Sequence, residues 1–153
     1  MKTYYIFKIN QEYYNLTKHV PYNLYMVLNG ISRSSIKDVY SAYSLFNSIN
    51  SLFTKKDINN IFKDISKDDG YQLYENVHTF NNYFTKECTK VYVHNSYLII
   101  RSNKEYPIIF EYLKLVSNIF VCNFKNRSYF WLEDFDNNYL YNEEKKGIIM
   151  ARE

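Results

Sequence analysis

Glycine and proline are scarce in this chain, with three Gly and two Pro among 153 residues. Gly30, Gly70 and Gly147 lie too far apart to form a phosphate-cradling loop. No stretch rich in Pro, Gly or Ser marks a linker, and no internal repeat is present, so turns must rest on Asn, Asp and Ser. The two cysteines, Cys88 and Cys122, allow at most one disulfide. Cytosolic thiols usually stay reduced, so two ordinary, partly buried thiols are expected. Charge of one sign is also lacking. The formal net charge of +3 is too small to argue for nucleic acid by itself. No apolar run reaches the roughly 18 residues of a spanning helix. The opening Met1–Phe7 meets Lys8 too early for a signal peptide. A cytoplasmic protein is therefore expected, without membrane association, and the glycosylation patterns at Asn15-Leu16-Thr17 and Asn126-Arg127-Ser128 are read as chance matches.

Aromatics are plentiful: 18 Tyr and 11 Phe make up most of an aromatic fraction of 20%. Tyrosine packs its ring in a core and still offers a polar tip to water. Asn, Lys, Ile, Tyr and Phe share AT-rich codons, so codon usage is an alternative to function as the source of this excess. With 46% apolar and 23% charged residues the chain has the composition of a folded globular protein. Its length suits one domain with a sizeable core.

Residues 3–9 read as a strand, with Tyr5, Phe7 and Ile9 on one face and Tyr4 and Ile6 on the other, which predicts an interior position. Pro21 suits a first helical turn. Leu24, Val27 and Leu28 then share a face, and Gly30 is expected to end that helix in a left-handed conformation. A longer helix is expected over 36–53, capped by Ser35 with Asp38 three residues on. Its stripe is Ile36, Val39, Tyr40, Tyr43, Phe46, Ile49 and Phe53. Thr54 and Asp57 are placed to cap another helix carrying Ile58, Ile61, Phe62 and Ile65, and Lys67–Gly70 reads as a turn. Leu73, Val77, Phe80 and Phe84 fit a helix over 71–84. Val91 and Val93 alternate with polar neighbours and turn at His94-Asn95-Ser96 into Tyr97–Ile100, a hairpin signature. Pro107 opens a helix burying Phe110, Leu113 and Val116 and stopped by Asn118. A second hairpin joins 119–124 to 129–132, with Trp131 expected in the core. The expected fold is α+β: a single small sheet, built from an N-terminal strand and two hairpins, covered by several helices. One binding domain over 1–135 is followed by an irregular polar tail over 136–153.

Chemistry needs convergent groups, and the sequence shows none. His19, His78 and His94 are scattered, lack partners at metal-ligand spacing, and read as solvated. Ser32, Ser34 and Ser35 lack a nucleophile-elbow context. Glu133, Asp134 and Asp136 read as a solvated acidic loop or a contact for a basic partner. No catalytic residue, metal or cofactor is assigned. One feature points outward. On the 36–53 helix, Ser41, Ser44, Leu45, Ser48 and Leu52 lie to one side of the main stripe at about 100° per residue. That side carries no charge, although solvent-facing helix sides usually carry Lys and Glu. It either packs within the domain or meets a partner. Tyr13 and Tyr14, set among polar residues after the first strand, are not expected in the core, and semi-exposed tyrosines are enriched at interfaces.

Both ends of the chain resemble a known family. Tyr4-Tyr5-Ile6-Phe7-Lys8-Ile9 followed by Tyr13-Tyr14, then Phe110–Ser117, Phe120–Phe124 and Tyr129–Leu132, are similar to the two ends of the sporulation inhibitor of replication family, SirA. The resemblance implies a small domain of helices and strands that binds the N-terminal domain of the replication initiator DnaA and restrains origin firing in Firmicutes. It implies that Tyr13 occupies an aromatic contact position. Thr17 occupies a second contact position, aromatic in the better-known member. The expected partner surface combines Tyr13, Tyr14 and Thr17 with Ser44, Leu45 and Ser48, in a monomer that binds no nucleic acid directly and catalyses nothing. The competing expectation is an aromatic-sheet nucleic-acid binder using Tyr92, Tyr97, Tyr129 and Trp131. Against it, Lys90, Arg101, Lys125 and Arg127 are too few for a strong electrostatic funnel.

Overall fold

The computed structural model describes residues 1–35 and 38–135, so the expected tail over 136–153 lies outside the described residues. Strand β1 (Lys2–Ile9) alternates apolar side chains onto both faces and sits inside the sheet, between β6 (Tyr97–Ser102) and β7 (Ile119–Asn123). Tyr4 and Ile6 enter one core, and Phe7 and Ile9 the other. The sheet is antiparallel and eight-stranded, larger than the five strands expected, in the order β3 (Tyr71–Tyr74), β4 (Val77–Asn82), β5 (Glu87–Val93), β6, β1, β7 and β8 (Ser128–Trp131). A two-residue strand, β2 (Asn50–Ser51), pairs with the end of β1.

The extra strands correct the helix expected over 71–84. Tyr71–Tyr74 is β3 and Val77–Asn82 is β4, a hairpin. His78 and Phe80 alternate into the core, whereas Leu73 and Phe84, half of the supposed helical stripe, are exposed. Asn76 pins the turn to β5 (Glu87–Val93): its Nδ2 donates to the Val93 carbonyl at 2.9 Å, and its carbonyl accepts from the Val93 N–H at 3.0 Å. Scarce glycine has a visible consequence, because left-handed turn positions fall to Glu75, Lys86, Asn118 and Arg127, with φ of 54–62°. Gly30 is not one of them. Helix α2 (Pro21–Ser32) runs through it, correcting its expected role as a helix stop.

Helices α4 (Lys55–Phe62) and α5 (Ile109–Leu113) cover one face of the sheet. Thr54 and Asp57 form the expected reciprocal cap on α4, and Lys8 Nζ lies 2.7 Å from Asp57 Oδ2. Burial raises the Asp57 carboxyl, but the hydrogen bonds from Lys8 and the Thr54 N–H outweigh it and hold the group below its usual range. The other face, over β1, β7 and β8 (Ser128–Trp131), receives α1 (Gln11–Thr17), α2 and the end of α3 (Val39–Ile49). Trp131 is buried there as expected, at 2% exposure. Cys88 and Cys122 are free thiols, and burial pushes the Cys122 thiol well up.

Candidate functional site

The segment expected to be a turn carrying Tyr13, Tyr14 and Thr17 is helix α1, capped by Asn10, whose Oδ1 accepts from the Tyr13 N–H at 2.8 Å. The helix separates the three residues. Tyr13 is half-buried at the rim of the second core. Tyr14 and Thr17 turn inward and are buried, which corrects the expectation that Tyr14 lies outside the core. Thr17 Oγ1 donates back to the Tyr13 carbonyl at 2.8 Å. The Tyr14 hydroxyl donates to Glu133 Oε1, which raises its pKa to about 12, with burial as the next cause. Glu133 is thereby tied into the fold rather than left in a free acidic loop.

Ser44, Leu45 and Ser48 lie exposed on α3, so this side does not pack inside the domain. Ser48 Oγ donates to the Leu45 carbonyl at 2.6 Å, satisfying its hydroxyl within the helix. Asn10 links the two candidate groups. While its Oδ1 caps α1, its Nδ2 donates to the Ser48 carbonyl at 2.5 Å, and its N–H to the Ile49 carbonyl at 2.9 Å. The start of α1 is thus fastened to the end of α3.

The larger correction concerns the stripe. Val39, Tyr40 and Tyr43 belong to the apolar stripe expected to face the core, yet they are 54%, 85% and 66% exposed. Only the last turn of α3 reaches the sheet, through Ile49 and through Phe46, whose ring meets that of Phe7 at 6.0 Å. The first half of the helix projects its rings into solvent. These three make an exposed apolar stripe, and Leu45, 45% exposed, lies on another side of the same eleven-residue helix, which carries no charged side chain. The missing charge was visible in the sequence; the direction in which the rings point was not.

Groups with chemical potential elsewhere are engaged structurally. His78, expected in solvent, is buried in β4, stacked on Phe62 at 3.6 Å, with Nδ1 2.7 Å from the Tyr71 hydroxyl. Burial lowers its pKa to about 4. A cleft of about 630 Å³ between β4 and α5 is lined by Asp64, Asp68, Glu87, Glu111 and Lys104. Glu87 accepts from Thr89 Oγ1 at 2.8 Å and from the Ile108 N–H at 3.1 Å, so its carboxylate holds the fold together. Among the described residues no three His, Cys, Asp or Glu side chains converge to hold a metal, and no helix is long and apolar enough to cross a membrane. No protein-family profile matches the chain, and no curated protein sequence matches it.

Proposed function

We propose that this protein is a non-enzymatic, cytoplasmic regulator that binds another protein through α3, with Tyr13 of α1 as a further contact and the N-terminal domain of DnaA as its partner. The observation that carries the reading is the charge-free helix exposing Val39, Tyr40, Tyr43 and Leu45. Exposed aromatic and aliphatic side chains grouped on one element mark protein contacts, and tyrosine is prominent among binding hot spots. The choice of partner rests on the SirA-like ends of the chain. Such binding restrains initiation by covering a surface that the initiator needs for self-association or helicase recruitment. A pull-down with the purified DnaA N-terminal domain tests the reading. Capture by the wild type, lost in a Tyr40→Ala/Tyr43→Ala variant, supports it; no capture by the wild type contradicts the choice of partner.

A further inference from the structure

Among the described residues, the helices leave half of one sheet face uncovered. Over β3, β4, β5 and β6, the side opposite α4 and α5 carries residues that belong to neither core, apart from Tyr97 at the start of β6. The strand register arranges them in two rows that cross the strands. One row is polar and cationic: Gln72 pairs with Thr79, Thr79 with Lys90, Lys90 with Arg101, and Arg101 with Thr3. The next row is apolar and aromatic: Tyr74 pairs with Val77, Val77 with Tyr92, and Tyr92 with Ile99. The rows are two residues apart along each strand, about 7 Å, and neighbouring positions within a row are about 4.8 Å apart. None of these nine side chains is buried.

The charge on this face has one sign. Lys90 and Arg101 stand directly opposite each other, both are exposed, and among the described residues neither forms an ion pair with a carboxylate. Like charges at opposed positions destabilise a sheet, so this pair is unfavourable to the free protein and is relieved by an anion between them. The Arg101 guanidinium also lies over the Tyr92 ring, 5.7 Å from its centroid, which sets a cation beside a ring at the boundary of the two rows.

We propose that this uncovered half-face binds single-stranded nucleic acid. Phosphates lie along the Lys90–Arg101 row, and bases lie against Tyr92 and the apolar row. Only phosphates and base faces are engaged, features that RNA and DNA share. The few cations that counted against such binding in the sequence act together because the register makes two of them neighbours. This surface is separate from α3, so it stands or falls independently of the protein-binding reading.

Fluorescence anisotropy with a labelled oligothymidine of about 15 nucleotides tests the proposal. The wild type is expected to bind it, and to bind an oligouridine of the same length comparably. A duplex, whose base faces are stacked away, binds more weakly. Two phosphate contacts predict a slope of log K against log salt of about −1.4, or about sevenfold weaker binding between 50 and 200 mM salt. Lys90→Ala/Arg101→Ala flattens the slope towards zero. Tyr92→Ala weakens binding about fivefold or more, and Tyr92→Phe retains it. Tyr43→Ala leaves it unchanged. Thermal melts verify that each variant is folded, and the exposed Lys90/Arg101 pair keeps the test independent of packing at Tyr92. No binding at the lowest salt, an equal affinity for duplex, an unaltered salt slope in Lys90→Ala/Arg101→Ala, or binding to phosphatidylserine vesicles in place of oligonucleotides would each overturn it.

Discussion

The ring of Tyr14 meets the indole of Trp131 edge-on, with centroids 4.8 Å apart and planes at 85°. The contact closes the first helix over the last strand, and the Tyr14 hydroxyl extends it to Glu133 in the turn that follows. Phe120 also packs against the indole, with centroids 4.8 Å apart. Trp131→Ala should therefore destabilise the fold by about 3–5 kcal/mol, the usual loss for a large buried aromatic. Tyr14→Phe keeps the ring contact and removes the hydrogen bond to a charged group, for a loss of about 1–2 kcal/mol. Urea denaturation checks both. The raised Tyr14 pKa adds a sign: the stability from its neutral hydroxyl is fully present below pH 10 and is lost as pH rises towards 12.

His78 gives the opposite pH dependence. Its folded pKa, about 4, lies below its unfolded value of 6.5, so the unfolded chain binds the proton more readily. Stability is unaffected by this group above pH 6.5. It falls as pH drops from 6.5 towards 4, by about 1.4 kcal/mol for each pH unit crossed between those two values. His78→Phe retains the stack on Phe62 and removes the titration. Denaturation midpoints of the two proteins should differ between pH 7 and pH 4.5, with the wild type losing more stability on acidification. Parallel curves would contradict the assignment.

The two described glycines should respond oppositely to alanine. A Cβ on Gly70 would lie 1.9 Å from the Asn81 carbonyl oxygen, in backbone that cannot move without disturbing the edge hairpin. Gly30 lies within α2 and has nothing within 4 Å of that position. Gly70→Ala should lower the melting temperature by several degrees. Gly30→Ala should leave stability unchanged or raise it by up to about 1 kcal/mol, because alanine loses less backbone entropy in a helix.

Much of the fold was legible where local chemistry decides it. Two-faced alternation placed β1 inside the sheet, Thr54 and Asp57 marked the start of α4, and both expected hairpins are present. The β3–β4 hairpin was not legible. Leu73, Val77, Phe80 and Phe84 fall at helical spacing by coincidence, and the turn between the strands puts Glu75 at positive φ, with Asn76 beside it as the single, weak turn signal. At the candidate site, spacing identified a charge-free helix and gave its inner side wrongly. Periodicity defines a stripe but not how far a helix extends beyond the sheet beneath it. Tyr14 and Tyr13 are adjacent in sequence, yet only docking against Trp131 makes one buried and the other a rim residue.

Reductant should leave the melting temperature unchanged, since both cysteines are free thiols. A large fall with dithiothreitol would indicate a bridge between Cys88 and Cys122.

Isothermal titration of the DnaA N-terminal domain into wild-type protein and into Tyr43→Ala measures whether α3 binds the initiator. Tyr43 is two-thirds exposed, so the variant should melt like the wild type. Saturable binding by the wild type is expected, with a loss of about 2 kcal/mol in the variant, roughly thirtyfold in affinity. Equal affinity in a folded Tyr43→Ala variant, or no binding by the wild type, would contradict binding of the initiator through α3.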